Sequence, residues 1–445
     1  MNNKSMTTGA PWKHILKFMF PVLLGSLLQQ LYNTVDTIIV GNFSSEEALS
    51  AVGTTGTFTF FFLAIAIGLS SGNGVLIAQR YGAKDNDGVR KNAASGILFL
   101  LVVGLVATII GIVVARPAFK HLVAVPEEIM DLTLQYFFIY VLGLVFQYGY
   151  NIFSSILRAV GDSAATLYFL LISSVLNVLL DLLFVAVFKW SVVGAAIATD
   201  IAQLVSFIAA YIYMHKKYEV FKFKLSDYKW DNETIKKTIE IGMPISLQLI
   251  IVSVGLTFIQ RAVNEFGKVM TATFTVGQRV EQYINLPCNA LQTTLATYTG
   301  QNIGANKLDR VKKGAKQGLL ISLIITCIIS LLIWLFAGNI ASLFGLSNES
   351  MSYCIEYIET IALINIILSM YVPLFGVFQG SGHSGFPAIV ATCALTIRVL
   401  VVYVFRYSSF MGYSIIWWNG LFGYSVGFTI TWLYFLSGRW SNRLG

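Results

Sequence analysis

Twelve stretches of more than twenty mostly apolar residues follow one another along the chain, and no other feature limits its fold as strongly. A helix that crosses the hydrocarbon core of a bilayer needs about 20 such residues, whereas a barrel strand needs about 10 in strict alternation. The runs lie near 18–41, 50–78, 93–115, 131–157, 164–188, 193–214, 238–264, 270–299, 315–337, 353–379, 385–407 and 414–437. Their length and continuity predict an all-α membrane protein with twelve transmembrane helices. Composition agrees, with 56% of the 445 residues hydrophobic and only 12% charged.

Charge gives the orientation, because Lys and Arg in short loops mark the cytoplasmic side. With the N-terminus inside, the inside segments hold 22 of the 30 basic residues, including Lys4, Lys13, Lys17, Arg80, Arg90, Lys91, Arg158, the lysines of the 215–237 connection, Arg310 and Arg443. Both termini are therefore expected in the cytoplasm, the chain being a multi-pass protein of the cytoplasmic membrane. This topology accounts for the net charge of +8 and argues against nucleic-acid binding. The first run is too long for a signal peptide and is kept as a span. Cys288, Cys327, Cys354 and Cys393 have no CxxC spacing and the four histidines are scattered, so no metal or disulfide framework is expected.

The chain also repeats itself. AQRYGAKDNDGVRKNAASG (78–96) returns as GQNIGANKLDRVKKGAKQG (300–318), Pro21 in FMFPVLLG returns as Pro244 in IGMPISLQ, and RAVGDS (158–163) returns as QGSGHS (379–384). Each half holds six spans in the same order, and six is even, so the lobes are parallel repeats about a pseudo-two-fold axis along the membrane normal. The expected lobes are 1–225, which includes part of the charged linker 215–237, and 226–445.

Within this apolar background, Asp36 and Asp181 stand out. A carboxylate at bilayer depth costs at least about 3 kcal/mol, so such residues usually face a cavity and handle ions, protons or substrate. Gln29, Asn33 and Asp36 follow each other at i, i+4 and i+7 on the first span, and Ser173, Asn177 and Asp181 at steps of four on the fifth. Thr199, Asp200 and Gln203 add a polar patch on the sixth. Three such stripes can line one pocket in which Asn177 and Thr199 hydrogen-bond a carboxylate. Two carboxylates facing each other in a low-dielectric cavity repel, which makes the pair a proton acceptor.

The plainer reading is that a membrane Asp caps a broken helix or pairs with Arg, and Asp200 fits that reading as well as the other. Pro21 reads as a kink that lets the first helix bend. The repeat partners of Asp36, Asp181 and Asn177 are Ile259, Val402 and Arg398, so the acids belong to the first lobe only. In the second lobe, Glu281 reads either as a second cation site or as the partner of Arg279 or Arg398, and Arg398 either meets anionic substrate groups or is structural. GSGHSG (380–385) matches GxGxxG by letters alone, since no strand precedes it. No nucleotide loop or hydrolase pattern is present, so no enzyme is expected.

LYNTVDTIIVG (31–41), AQRYGAK, RAVGDS, SSVLNVLLDLLF (173–184), RVEQYINLP and GQNIGA together resemble the multidrug and toxin extrusion (MATE) transporters over nearly the whole chain. Asp36, Asn177, Asp181 and Thr199 match the first-lobe cluster of the prokaryotic DinF-like branch, Pro21 its bending proline, Gln29 a cavity glutamine and Tyr136 a cavity tyrosine. The resemblance implies export of organic cations and amphipathic drugs by exchange for H+ or Na+, with no other cofactor, in a monomer that conveys drug resistance. The seventh and tenth spans lack the central acids of the NorM-like branch, which favours protons through the first lobe, with Na+ at the Asp36/Asp181 cluster as the other coupling ion. The competing reading is a flippase for lipid-linked oligosaccharides or other lipid precursors, kept open by Arg398.

Overall fold

Short polar side chains decide where the runs begin. Ser45, Asp85, Asp162 and Ser347 each accept a hydrogen bond from the backbone N–H three residues on, at 3.2, 2.8, 3.3 and 3.3 Å, and so satisfy a donor that a new helix would otherwise leave orphaned. In this computed structural model, residues 5–408 and 411–441 are described; Lys4 and Arg443, two of the cations expected inside, lie outside the described residues.

The helices are α1 (Pro11–Phe43), α2 (Glu46–Gly82), α3 (Asn86–Ala118), α4 (Glu127–Leu142), α5 (Leu144–Ala159), α6 (Ser163–Asp181), α7 (Ser191–Lys217), α8 (Asn232–Asn264), α9 (Lys268–Gly304), α10 (Leu308–Leu335), α11 (Ala337–Ser342), α12 (Asn348–Ser369), α13 (Val372–Gly380), α14 (Gly385–Phe405) and α15 (Ile415–Ser437), with no strand among the described residues. Taking α4 with α5 and α12 with α13, a helix or helix pair stands at each of the twelve expected runs. Nine helical stretches among the described residues are long and apolar enough to cross a membrane, and α4 with α5 make a tenth across a 45° bend. The other two runs form helices α9, which carries Arg279, Glu281 and several amides, and α15, which is rich in Trp, Tyr and Gly.

The sequence repeat is also a backbone repeat. Helices α1 and α8 both have 33 residues, and α2 and α9 both have 37. Lys84 (φ 60°) and Asn306 (φ 56°) take the same left-handed turn after α2 and α9, and Gly161 (φ 90°) and Gly382 (φ 84°) do so after α5 and α13. Two residues without glycine's freedom adopt that conformation at equivalent positions, so both turns are fixed by their surroundings.

Two compact units result, one containing Phe20–Ser246 and the other Met6–Met19 with Leu247–Gly445. Residue 225, the expected end of the first lobe, lies inside the first unit, and the changes of unit fall within α1 and α8, next to Pro21 and Pro244. Each unit ties down the segment that precedes its borrowed helix end. In the first unit Arg90 Nη2 donates to Lys222 O at 2.7 Å and to Asp227 Oδ2 at 2.6 Å. In the second, Arg310 donates to the carbonyls of Gly9 at 2.7 Å and Met6 at 3.0 Å.

Inside the first unit, α2 and α8 approach to backbone contact: a Cβ on Gly72 would lie 2.6 Å from Gly242 N and Thr238 O. Small residues permit such contact where apolar surroundings supply no other drive for helix association. Aromatic rings of Phe58, Phe62, Phe119 and Phe137 fill the space between α2, α3 and α4. The second unit has its own core, where Tyr357 stacks on Trp417 with ring centroids 4.8 Å apart.

Candidate functional site

Ser173, Asn177 and Asp181 are all buried on one face of α6, Asp181 fully, at 0% exposure. A carboxyl group there is costly unless it has partners. After Asp181 the helix widens into a π-helical segment, Leu182–Val187, a distortion that recurs at functional positions. Helix α7 supplies Thr199, whose hydroxyl donates to Ala195 O at 3.0 Å and accepts from Asn177 Nδ2 at 3.4 Å. With the Asn177 amide turned over, its nitrogen donates to Asp181 Oδ2 at 2.7 Å and its oxygen accepts from Thr199 N–H at 3.1 Å. The second orientation satisfies both ends of the amide with short bonds and is the one these neighbours favour.

Helix α1 brings Asp36 to the same place. The Asp36 and Asp181 carboxyls meet as hydrogen-bonding neighbours, and the Tyr32 hydroxyl faces Thr199 beside both acids. A hydrogen bond between two carboxyls needs a proton on one of them, so the arrangement can hold one proton between two acids. The Oδ1 of each acid is buried and takes no hydrogen bond from any neighbouring donor among the described residues. Buried Tyr136 stacks at 6.3 Å on Tyr140 and lies beside Asp36 and Asp200.

Asp200 lies against Gly143, the residue at which α4 bends into α5 and whose N–H donates to Tyr140 O at 3.2 Å. It therefore stands at the break between two helices, and a Cβ on Gly143 would fall 1.9 Å from its Oδ1. Beyond the bend, Gln147 Nε2 donates to the Tyr140 hydroxyl at 3.1 Å. A cavity of about 160 Å³ opens there, wholly within the first unit, lined by Pro21, Gln29, Gln147, Asn151, Arg158 and Gln203 among others. Asn33, expected on the same stripe as Gln29, is exposed like Gln29 but does not line this cavity. Helix α1 runs through Pro21 as one continuous helix.

The second unit holds a separate polar network. Arg398 Nε donates to Asn419 Oδ1 at 2.7 Å, Arg398 Nη1 donates to the Tyr424 hydroxyl at 3.1 Å, and that hydroxyl donates to Glu281 Oε1 at 2.8 Å. The guanidinium also lies 5.1 Å from the Tyr424 ring centre. Glu281 is thus linked to Arg398 through Tyr424, while Arg279 is exposed.

The MatE family model matches residues 21–183 and 244–404, one copy in each half of the repeat. The chain belongs to the MATE family. It is accordingly a membrane transporter and not an enzyme. Its relatives include the probable multidrug resistance protein YoeA of Bacillus subtilis, 27% identical over 94% of this chain and 91% of that one. Another is the probable multidrug resistance protein YpnP of the same organism, 26% identical over 99% of this chain and 98% of the other. A crystal structure of a MATE protein in complex with MaL6 superposes with a TM-score of 0.94 at 24% identity, covering 100% of this chain and 99% of that chain, a likeness of fold.

In this MATE chain the structure brings Asp36, Asn177, Asp181 and Thr199 into one cluster with Tyr136 beside it, and gathers Gln29 and Gln203 into the neighbouring cavity. Tyr32 was missed, although it stands four residues before Asp36 and so on the same face. Tyr140, Gln147 and Arg158 were missed because the bend at Gly143 has no distinctive sequence mark, and Arg158 reads as a loop cation when only distance from the apolar run is considered.

Proposed function

We propose that the protein exports organic cations and amphipathic drugs from the cytoplasm in exchange for protons, by alternating access, with Asp36 and Asp181 as the coupling pair. The observation that carries this reading is the meeting of two carboxyls from α1 and α6 within membrane-spanning helices, with Asn177 and Thr199 beside them. Entry of a proton neutralises a buried charge and changes what α1 can pack against, and the proline at residue 21 lets that helix bend in response. One proton crossing 100 mV contributes about 2.3 kcal/mol, so either a pH gradient or a second proton completes the drive. The names of relatives support a drug substrate: they include multidrug export proteins MepA of staphylococci. The protein acts in this reading as a monomer in the cytoplasmic membrane with both termini inside, and Na+ is the competing coupling ion at the same two acids. Arg398, the residue that favoured a lipid-precursor flippase, is already bonded to Asn419 and Tyr424.

The test is purified protein in liposomes, a fluorescent cationic dye, and an imposed pH or Na+ gradient. Dye movement should follow the pH gradient, and Asp36→Asn or Asp181→Asn should lower it at least tenfold. Flux indifferent to both gradients, or unchanged in both variants, would overturn the reading; a response to Na+ alone would replace the proton.

A further inference from the structure

The first two turns of α3 and α10 carry the same basic pair in the two halves of the repeat, Arg90 and Lys91 in one, Lys312 and Lys313 in the other. In the first unit both cations are answered, Arg90 by Asp227 at 2.6 Å and Lys91 by Asp231 at 3.0 Å. In the second unit Lys312 and Lys313 are exposed and form no ion pair among the described residues, and the same holds for Lys316 one turn on. Lys13 and Lys17, exposed on the first two turns of α1, add two more such cations. The start of α1 is held to α10 by the Trp12 N–H, which donates to Gln317 Oε1 at 2.9 Å. Between these helix ends lies a recess of about 340 Å³, lined by Pro11, Trp12, Arg310, Lys313 and Gln317 among others. Arg310 is engaged with the carbonyls of Met6 and Gly9, and Asp309 is the one acid in the wall.

Beyond the lysines the surface of α10 turns apolar. Lys316, Leu320, Ile324 and Ile328 follow at steps of four, and the last three are 57%, 51% and 54% exposed, so the cations head a stripe that faces the hydrocarbon. Unpaired lysines gathered on two touching helix ends repel one another, and a counter-charge relieves that repulsion. We propose that recess and stripe together form a binding surface for an anionic phospholipid, its head group among Lys13, Lys313 and Lys316 and an acyl chain along Leu320, Ile324 and Ile328. A lipid suits both parts at once, because its charge and its chains are joined at this boundary, whereas a free phosphate leaves the stripe unused. Trp12, 45% exposed and with Lys13 Nζ 5.5 Å from its ring centre, supplies the amphipathic ring typical of head-group depth. The lipid fastens the start of α1, the helix that carries Asp36, to α10. The inference goes beyond the transport reading and is independent of it, since it invokes neither substrate nor coupling ion.

The experiment uses the full chain in nanodiscs of equal parts phosphatidylglycerol and phosphatidylcholine. A fluorophore is placed on exposed Cys327, two turns beyond Leu320 on the same face of α10, after Cys393→Ser. One lipid at a time carries bromine on its acyl chains and quenches the label according to its local occupancy. Phosphatidylglycerol should be in local excess over phosphatidylcholine by about fivefold. A label at Leu105→Cys, with Cys327→Ser and Cys393→Ser, occupies the repeat-equivalent exposed position of α3 and should see an excess below about twofold. Replacing Lys13, Lys313 and Lys316 together by Gln should bring the excess at Cys327 down to that level, and replacing the same three by Arg should keep it. Equal quenching by the two lipids at Cys327 would overturn the proposal without any charge variant. An equal excess at both labels would overturn it too, by reducing the effect to the general attraction of a basic surface. So would an excess that survives the Gln variant, or one abolished by inorganic phosphate at constant ionic strength, which would make the recess a site for a free anion.

Discussion

The Asn177 amide bridges Asp181 and Thr199, giving a hydrogen bond to the carboxyl at 2.7 Å and taking one from the Thr199 backbone at 3.1 Å. It thereby fixes where one of the two facing acids points. A hydrogen bond to a charged group contributes about 1.5–3 kcal/mol, so losing it should change proton occupancy of the pair by roughly 10- to 100-fold. Asn177→Ala is expected to lower pH-driven dye flux by about tenfold while equilibrium dye binding changes less than about twofold. Asn177→Asp, which adds a third acid, should bind dye and fail to couple. Wild-type flux in Asn177→Ala would show that Asn177 does not set the acid's position.

Arg398 makes a prediction of a different kind. Its guanidinium is bonded to buried Asn419 and to Tyr424, and the Cβ of an alanine at Gly423 would fall 2.4 Å from its Cγ. Arg398→Leu leaves the Asn419 oxygen without its donor, a loss of about 1–3 kcal/mol. The expected result is a lowered melting temperature in detergent with dye flux per folded molecule retained. An unchanged melting temperature with transport abolished would instead place Arg398 in contact with substrate.

The same contrast explains what could be read in the sequence. The spans were legible because a bilayer forces long apolar runs, and α9 was found as one of them despite Arg279 and Glu281. Asn177 and Asp181 were legible because four residues is one helical turn. Arg398 was one of the partners offered for Glu281, but Tyr424, which joins them, was not legible, since it lies more than a hundred positions from Glu281. Nor did any periodicity announce the bend at Gly143 that turns α4 into α5 and places Arg158 in a cavity. Local spacing reports faces of helices, and contacts across helices need the packing.

Gly72 tests that packing directly. An added Cβ would meet backbone atoms of Gly242 and Thr238 at 2.6 Å, and backbone cannot rotate aside as a side chain can. Gly72→Ala should therefore cost about 1–3 kcal/mol, and Gly72→Leu should prevent recovery of monodisperse protein. Gly53, on the same helix, has nothing within 4 Å of the equivalent position and serves as the control. Gly53→Ala is expected to melt at or slightly above the wild-type temperature, because it also improves helix propensity. A melting curve for Gly72→Ala that overlays the wild type would mean that α2 and α8 do not approach this closely.

The last prediction concerns the linker. Asp227 accepts from Arg90 Nη2 and from the Lys224 N–H, both at 2.6 Å. The hydrogen bond from Arg90, followed by that from Lys224, holds its carboxyl below the usual carboxylate range. A group whose value is lowered by attachment supports that attachment fully above its free value, about 3.9, and loses it as pH falls through the lowered one. The linker should therefore stay docked from about pH 5 to 8 and loosen only below about pH 4. A spin label at exposed Ser226, placed as Ser226→Cys with Cys327 and Cys393 replaced by Ser, reports this as mobility. The spectrum should be immobilised at neutral pH and gain a mobile component in acid, whereas Arg90→Ala should be mobile throughout. High salt should have a smaller effect than Arg90→Ala, because the pair is only 30% and 25% exposed and is partly shielded from screening. A label already mobile at neutral pH in the native background would mean that Arg90 does not hold the linker.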